Sequence, residues 1–399
     1  MNKTSFDIII VGAGLVGLAT AYNLKVKFPQ KSLLIIEKEN GVSQHQSGHN
    51  SGVIHSGIYY KPGSLKAKNC LEGYNALLDF AKEHDIPYDI CGKIIVATDN
   101  NEIGALENIY NRGVENGLSS LKKLNREELL EYEPHVDGVA GVHVPQTGII
   151  DYPAMASKLL LLIQGLGGVA VFGESVKKIG KDGGGYIIGT NNEIYQAKKV
   201  ITCAGLQSDR VSRLDSDDND LKIIPFRGEY YKLKKDKESL VKNLIYPVPN
   251  PEFPFLGVHF TRMINGGVEA GPNAVLAFKR EGYKFSDLSI KDLTDTFTWP
   301  GFWKIAFKYG RTGAMEMYRS LSKSSFTRSL QKLIPEIQEE DLVDGGAGVR
   351  AQACDRDGNL VDDFNFKEAE NIIHVRNAPS PAATSCLAIG KYITERIQF

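Results

Sequence analysis

Residues 6–39, FDIIIVGAGLVGLATAYNLKVKFPQKSLLIIEKE, determine the fold that the sequence predicts. The β-branched run before Gly12 is typical of a parallel strand covered on both faces, and a helix pattern and a second apolar run follow. Gly12, Gly14 and Gly17 permit, in turn, a tight turn, close approach of a pyrophosphate and close helix–sheet packing. Glu37 ends the second strand, where an acid can hydrogen-bond a ribose diol. The stretch therefore predicts a dinucleotide-binding unit.

Composition limits the classes of protein to which the chain can belong. Its 399 residues carry a formal net charge of −1, so no nucleic-acid partner is expected. The five cysteines are scattered without a C-x-x-C pair, which predicts reduced thiols and no metal site. No run of about 18 apolar residues and no signal-peptide pattern occurs, so we expect a cytoplasmic protein.

Signals of the nucleotide domain return far along the chain, in GVAVFGESVKKI, in KKVITCAG and near the C terminus in NIIHVRNAPSPAATSC. A nucleotide domain interrupted twice is the arrangement of flavoproteins rather than of nicotinamide enzymes. We predict an α/β chain (α+β overall), with a Rossmann-like FAD-binding domain and a substrate domain on a mainly antiparallel sheet. The FAD domain takes residues 1–90, 145–220 and 340–399, and the substrate domain takes 91–144 and 221–339.

The loop HQSGHNSGVIHSGIYY, which begins at His45, is too polar for a core and too ordered for a linker. We expect residues 47–57 to lie along the pyrophosphate, where small side chains let backbone amides reach a cofactor. A Gly/Ser turn with incidental histidines is the alternative.

The internal motifs point to one family. The loop motif, together with FRGEYYKL, FPFLGVHFTR, GPNAVLAFKREGY and GVRAQ, resembles the L-2-hydroxyglutarate dehydrogenases/oxidases, which are FAD-dependent, D-amino-acid-oxidase-like oxidoreductases. The resemblance covers nearly the whole chain, and residues 282–330 are its less diagnostic part. It implies FAD as the cofactor and oxidation of L-2-hydroxyglutarate to 2-oxoglutarate by hydride transfer to flavin N5.

The resemblance also implies the residues that contact FAD, which come from the glycine turn, the acid-bearing strand, the loop and the returning segments. They are Gly12, Gly14, Gly17, Glu37, Lys38, Ser47, Gly48, Asn50, Ser51, Gly52, Val176, Cys203, Ala204, Gly205, Ser380, Pro381, Ala382, Ala383 and Thr384.

A C-terminal helix is expected from capping chemistry. Ser380 fits an N-cap and Pro381 the first helical position, so we expect a helix from there toward Arg396. The resemblance implies that its N-terminus faces the flavin pyrimidine ring, where partial positive charge stabilises an anion.

Oxidation of a 2-hydroxy acid requires a cation that holds the carboxylate. Arg350 follows a glycine-rich turn among apolar neighbours, and a guanidinium can bind a carboxylate through two hydrogen bonds. A second carboxylate would need another cation, for which Arg262, Lys279 and Arg280 are candidates that the sequence does not separate.

Histidine is the expected acceptor of the hydroxyl proton, because its ordinary pKa lies near working pH. A lone histidine on a strand is more often a core residue, but the resemblance places the motifs of His55 and His259 around the site. Either one is therefore a candidate base. Tyr60 and Tyr230 are candidates for the pocket wall.

The electron acceptor is left open between a quinone and oxygen. The stretch DTFTWPGFWKIAFKYGRTGAMEMYRSLSKS mixes aromatic residues with Lys and Arg, as helices at a lipid surface do. Residues 285–325 are therefore a candidate segment for peripheral contact with the inner face of the membrane. An ordinary cap of the substrate domain is the alternative.

Two other functions compete with this interpretation. A related flavin enzyme could act on glycerol 3-phosphate, malate or an amino acid, since Arg350 would suit any of these anions. A flavin-binding nucleic-acid-modifying or non-catalytic assembly protein could use the same scaffold, although the absent basic patch argues against RNA.

Overall fold

The computed structural model describes residues 4–217, 219–249 and 257–399, which form twenty strands and ten α-helices. The strands are β1 (Ser5–Val11), β2 (Leu33–Ile36), β3 (Val53–Ile54), β4 (Tyr88–Asp89), β5 (Lys93–Ala97), β6 (Lys122–Asn125), β7 (Ala140–Val144), β8 (Gly148–Ile150), β9 (Val169–Val171), β10 (Val176–Asp182), β11 (Gly185–Thr190), β12 (Ile194–Thr202), β13 (Leu221–Leu233), β14 (Leu244–Pro247), β15 (His259–Arg262), β16 (Val268–Gly271), β17 (Val275–Leu276), β18 (Leu342–Asp355), β19 (Asn365–Ala369) and β20 (Ile372–Asn377).

Several helices begin at side-chain caps. Ser64 accepts the N–H of Ala67 at 3.1 Å, and Asp151 accepts that of Ala154 at 2.8 Å, so orphan donors of the first turns are satisfied. The helices are α1 (Leu15–Lys27), α2 (Leu65–Glu83), α3 (Ile103–Glu115), α4 (Arg126–Tyr132), α5 (Tyr152–Gly165), α6 (Ser208–Ser212), α7 (Ile290–Phe297), α8 (Pro300–Leu321), α9 (Lys323–Leu330) and α10 (Cys386–Arg396).

The first sheet is the predicted dinucleotide sheet. Its order is β10-β11-β12-β1-β2-β9, with β20 paired to β12 and β19 paired to β20. β1 is parallel to both β2 and β12, with Ile9 opposite Leu34 on one side and Val200 on the other. Leu18 of α1, Leu159 of α5 and Ile389 of α10 belong to one buried core with the strands. The carboxyl ends of β1 and β2 therefore meet at one edge, where α1 begins.

The second sheet carries the substrate side. Eight of its nine strands run in the order β17-β13-β16-β15-β14-β5-β7-β6, and the ninth, β18, pairs along β13. Only β14 and β5 are parallel among its described pairs, so the predicted mainly antiparallel sheet is confirmed. A small third sheet, β3-β8-β4, joins the loop that begins at His45 to the segment that precedes α5.

The third FAD segment starts later than the sequence predicts. β18 pairs antiparallel with β13 from Asp355 opposite Leu221 to Leu342 opposite Leu233, so it belongs to the substrate sheet. The dinucleotide sheet resumes only with β19. The predicted boundary at residue 340 is therefore wrong as a division between the two sheets. The pairing of β18 with β13 joins segments far apart in sequence, and a local sequence pattern does not show such a pairing.

The start of the C-terminal helix also differs from the prediction. α10 begins at Cys386 with Ser385 at its N-cap, whereas residues 380–385 form turns in which the Ser385 N–H donates to Pro381 at 2.9 Å. The hydroxyl of Thr384 is held by Tyr152 and by the His55 N–H, which fixes the turn before the helix begins. The predicted end at Arg396 is confirmed.

Candidate functional site

A cavity of about 1250 Å³ lies where the two larger sheets face each other. One end is bordered by the glycine turn and Glu37, and the other by Tyr246 and His259 of the substrate sheet. Its volume exceeds that of a usual pocket for a drug-sized ligand, so it has room for a dinucleotide and a small substrate together.

The glycine turn has the shape that a diphosphate needs. Gly12 has φ +107°, and a Cβ there would lie 2.4 Å from the carbonyl oxygen of Cys203. At Gly17 a Cβ would lie 2.1 Å from the carbonyl oxygen of Gly12, so only glycine lets α1 begin this close to β1. Gly14 and Leu15 line the cavity. The positive end of the α1 dipole therefore faces the space that a pyrophosphate would take.

Glu37 lines the same end of the cavity. Its two carboxylate oxygens accept the backbone N–H groups of Ala13 at 2.7 Å and Glu39 at 3.0 Å, which fixes the side chain against the turn. A fixed anion at this place suits a ribose diol and repels a 2′-phosphate. These residues fit FAD.

Lys38 lies in a cluster of charges beside Glu37. Its ammonium pairs with Glu39, with Glu281 at 3.0 Å and with His45 Nε2 at 2.9 Å. Ligand atoms of Glu39, His45 and Glu281 lie within 4.8 Å of one another, a spacing that a metal ion could use. The Lys38 ammonium already supplies positive charge among them, so we interpret the cluster as an ion-pair network.

The loop that begins at His45 is held between the glycine turn and Tyr283 of the substrate domain. Ser47 Oγ accepts the Leu15 N–H at 3.0 Å. His45 Nδ1 hydrogen-bonds the Tyr283 hydroxyl at 2.7 Å, and the His49 ring stacks on Tyr283 with centroids 4.1 Å apart. These histidines are therefore structural contacts of the loop. Ser47 lines the cavity, as do Asn50 and Ser51.

Gly48 and Gly52 are not among the lining residues, contrary to the expected cofactor contact. A Cβ at Gly48 would lie 2.2 Å from the carbonyl oxygen of Ser43. Gly52 has φ +67°, and a Cβ there would lie 3.0 Å from the Ile150 carbonyl oxygen. Both glycines are required by packing within the protein.

The later segments of the nucleotide domain border the rest of the dinucleotide end of the cavity. Thr384 does not line the cavity; it is fully buried, and its hydroxyl accepts the His55 N–H at 3.1 Å and bonds the Tyr152 hydroxyl at 2.9 Å. Thr384 therefore does not contact the cavity itself but holds His55 and Tyr152, which line it. The predicted residues that do line the cavity here are Val176, Cys203, Ala204, Gly205, Ser380, Pro381, Ala382 and Ala383.

His55 faces the cavity beside the C-terminal turn. Its Nε2 lies 3.3 Å from Ser380 Oγ, and its carbonyl accepts the Cys70 thiol. Burial lowers the pKa of His55 to about 3, and the charges of Lys93, His259, Lys66 and Arg350 act in the same direction. The imidazole is therefore neutral at pH 7.

His259 lies on β15 at the substrate end, in a motif whose residues 253–256 lie outside the described part of the chain. Its ring stacks on Tyr246 with centroids 3.9 Å apart, and Nδ1 donates to the Gly257 carbonyl at 2.9 Å. Burial lowers the pKa of His259 to about 3, and the charges of Arg350 and Lys93 act in the same direction. With Nδ1 protonated, Nε2 carries the lone pair that can accept a proton.

Arg350 lies on β18 and lines the cavity with Tyr60 and Tyr230. Its guanidinium hydrogen-bonds the Tyr230 hydroxyl. Gly348, two residues before it, lies so close to the loop that a Cβ would be 2.4 Å from the His49 carbonyl oxygen. The strand that carries Arg350 thus packs directly on the loop that borders the dinucleotide end.

The other expected cations lie outside the cavity lining. Arg262 pairs with Asp89 on the neighbouring small sheet. Arg280 is 1 % exposed and pairs with Asp209, so its charge is already neutralised inside the fold. Lys279 is exposed. The placement of Arg262 in the substrate pocket is therefore wrong, because an acid from another segment takes its guanidinium.

Gln46, Tyr59 and Tyr246 are among the lining residues that the sequence did not indicate. Gln46 Oε1 accepts the Ala351 N–H at 2.9 Å, next to Arg350. Tyr59 precedes the predicted Tyr60, and Tyr246 lies on an ordinary apolar strand. Local pattern alone carries no signal that would have separated them from core tyrosines.

The fold and the cavity are those of a flavin-dinucleotide oxidoreductase. The FAD dependent oxidoreductase family model matches residues 7–396. The L-2-hydroxyglutarate dehydrogenase of Indibacter alkaliphilus is 55% identical, with 98% of each chain covered. The mitochondrial L-2-hydroxyglutarate dehydrogenase of Homo sapiens is 46% identical over 100% of this chain and 89% of that protein.

Solved structures agree with this class. Dithionite-reduced L-alpha-glycerophosphate oxidase from Mycoplasma pneumoniae with FAD bound has a TM-score of 0.79 and 25% identity, over 98% of this chain and 94% of that chain. Glycine oxidase from Geobacillus kaustophilus has a TM-score of 0.72 at 17% identity, over 100% and 96%, and supports the fold alone. The chain belongs to the L-2-hydroxyglutarate dehydrogenase family of FAD-dependent oxidoreductases.

Proposed function

We propose that the protein oxidises L-2-hydroxyglutarate to 2-oxoglutarate and passes the electrons to a quinone or to oxygen. The observation that carries the proposal is the continuity of one cavity from the glycine turn to Arg350, His55 and His259. The two relatives named above, similar over nearly the whole chain, support this choice over glycerol 3-phosphate, malate or an amino acid.

Each residue at the substrate end has a role that its geometry supports. Arg350, oriented by Tyr230, binds a carboxylate through its planar fork. FAD, when bound, supplies the acceptor for the C2 hydride. A bound dianion raises the pKa of a neighbouring imidazole, so His55 or His259 can take the hydroxyl proton although each is a weak base in the empty cavity.

The visible spectrum of the purified holoenzyme tests the function. Under anaerobic conditions, L-2-hydroxyglutarate should bleach the flavin, and glycerol 3-phosphate, malate and amino acids should bleach it more slowly. The D-enantiomer is the matched control. A colourless protein, or a flavin that L-2-hydroxyglutarate leaves oxidised, would falsify the proposal.

Peripheral membrane contact would favour a quinone as the acceptor. No helix in the described part of the chain is long and apolar enough to span a bilayer. Apolar side chains on and near α7 and α8 are nevertheless exposed: Ile290 is 78% exposed, Phe307 86% and Trp303 48%. Exposed apolar side chains beside lysines suit a lipid surface. Oxygen uptake compared with reduction of a soluble quinone analogue separates the two acceptors.

A further inference from the structure

Lys93 is a buried cation at the substrate end that the proposed mechanism does not yet use. It begins β5 and is 2% exposed. Its Nζ lies 4.4 Å from the ring centroid of Tyr59 and 4.8 Å from that of Tyr246. Both rings line the cavity, so the ammonium lies directly behind the cavity wall.

The surroundings of Lys93 leave its charge without a balancing acid. Within residues 4–217, 219–249 and 257–399, no carboxylate pairs with it, and its contacts are two aromatic rings. Cation–π contact offsets only part of the cost of burying an ammonium. Its field reaches both His55 and His259. A lone buried charge beside a substrate cavity indicates that an anion arrives there.

We propose that Lys93 is a positioning residue whose ammonium, held by Tyr59 and Tyr246, supplies the second positive charge that a dicarboxylate meets beside Arg350. The inference rests on the proposed function, since a doubly negative substrate gives a second charge its purpose. Arg262 is paired with Asp89, Arg280 is paired with Asp209, and Lys279 is exposed, so none of these three presents an unbalanced buried charge to the cavity.

Proton linkage gives this role a distinct signature. Burial lowers the pKa of Lys93 to about 7, so part of the population carries an uncharged amine near neutral pH. A nearby dianion favours the ammonium and raises that pKa. Dicarboxylate binding should then take up protons, and affinity should fall as pH rises above 7 because the amine must first be protonated.

The neighbouring groups do not give this signature between pH 6 and 8. Burial raises the pKa of the Cys70 thiol to about 12, and it raises those of Tyr59, Tyr230 and Tyr246 above the ordinary phenol value. His55 and His259, with pKa values of about 3, are neutral in the empty cavity. Any proton that they take up when glutarate binds would persist in Lys93→Arg, so that variant separates their uptake from that of Lys93. Lys66 and Arg350 add positive charge around His55 and so strengthen the field in the same direction.

Binding of glutarate to the oxidised holoenzyme tests the proposal without turnover, because glutarate has both carboxylates but no hydroxyl. Calorimetry at pH 7 in buffers of different ionisation enthalpy counts the protons taken up, and butyrate is the monocarboxylate control. The variants are Lys93→Met, Lys93→Arg and Lys123→Met. Lys123 also lies over a tyrosine ring, Tyr110 at 4.5 Å, but it is half exposed and paired with Glu107.

We expect wild type and Lys123→Met to take up a fraction of a proton on binding glutarate. Lys93→Met should bind glutarate about tenfold more weakly or worse, with a smaller loss for butyrate and no uptake. Lys93→Arg should keep the affinity but lose both proton uptake and pH dependence between 6 and 8. Retained flavin absorbance shows that each variant is folded.

A failure of the role proposed for Lys93 can be distinguished from a failure of the proposed function. If L-2-hydroxyglutarate bleaches the wild-type flavin but Lys93→Met matches wild type in glutarate affinity and proton uptake, the role of Lys93 is wrong and the function stands. A wild-type holoenzyme that neither binds glutarate nor is reduced by L-2-hydroxyglutarate overturns both. Equal losses in Lys93→Met and Lys93→Arg would indicate packing rather than charge, and would also overturn the proposal.

Discussion

Gln46 Oε1 accepts the backbone N–H of Ala351 at 2.9 Å, although 305 positions of sequence separate the two residues. Gln46 precedes Ser47, which accepts a hydrogen bond from the first turn of α1. Ala351 follows Arg350. One side chain therefore sets the distance between the cofactor end of the cavity and the guanidinium that we propose for the substrate carboxylate.

Replacing Gln46 with Leu should weaken both stability and catalysis. The half-buried Ala351 N–H would lose its partner, at a cost of about 1–3 kcal/mol in the free energy of unfolding. Arg350 would be held less firmly, so kcat/KM should fall roughly ten- to hundredfold. Urea unfolding and anaerobic flavin reduction measure the two effects. Gln164→Leu, which replaces an exposed glutamine on α5 outside the cavity lining, should change neither.

Gly348→Ala should separate the same two surfaces by a different means. The new Cβ would lie 2.4 Å from the His49 carbonyl oxygen, and backbone cannot yield as a flexible side chain can. We expect loss of bound flavin on gel filtration and a destabilisation of about 1–3 kcal/mol. Gly104→Ala on α3 meets open space and should be neutral or slightly stabilising. Full flavin retention by Gly348→Ala would contradict the close packing.

Long-range contacts such as that between Gln46 and Ala351 could not be predicted from the sequence, whereas the dinucleotide motif could. Gly12, Gly17 and Glu37 were predictable, because the roles of the dinucleotide motif depend on short spacing along one strand–turn–helix unit. The partner of Gln46, the pairing of β18 with β13 and the acid beside Arg262 depend on segments more than a hundred residues apart. Local pattern does not contain that information.

Lys93 illustrates the same limit. The stretch GKIIVATD is strand-like, and the sequence does not show that its lysine is buried. Only the pairing of β5 with β14 places Lys93 beside Tyr246 and turns its side chain into a buried cation. The helix start was missed for a related reason, since the Thr384 hydrogen bonds that hold the turn come from Tyr152 and His55.

Arg350→Met should weaken substrate binding more than it changes folding. The loss of a charge-assisted bond to the carboxylate should raise the substrate concentration needed for half-maximal flavin reduction by roughly a hundredfold. Stopped-flow reduction under anaerobic conditions measures it. Arg262→Met is the matched control, because that guanidinium pairs with Asp89 away from the cavity lining. Equal behaviour of the two variants would remove Arg350 from the site.

His259→Gln should reduce the sensitivity of stability to acid. The pKa of His259 is about 3 in the native protein, against 6.5 for an ordinary histidine. Between these values the unfolded chain binds a proton that the native protein does not, so the free energy of unfolding falls as pH falls, by about 1.4 kcal/mol per pH unit. Between pH 7 and 5 the variant should therefore lose about 2 kcal/mol less than wild type.

Urea unfolding at the two pH values measures this difference. His135→Gln replaces an imidazole at the surface and serves as the control. If the His259 variant loses as much stability as wild type, the pKa of His259 is not lowered in the native protein.

Peripheral membrane contact predicts that charge on the exposed apolar surface of α7 and α8 prevents binding to lipid. Ile290 and Phe307 are 78% and 86% exposed, so Ile290→Glu with Phe307→Glu should leave the fold and flavin reduction unchanged. Partition onto anionic liposomes in flotation assays should fall tenfold or more, since burial of such side chains is worth about 1.5–3 kcal/mol each. Leu161→Glu with Ile194→Glu makes the same change at 62% and 64% exposure elsewhere, and it should bind like wild type. If both pairs bind equally well, the two helices cap the substrate domain and do not meet the membrane.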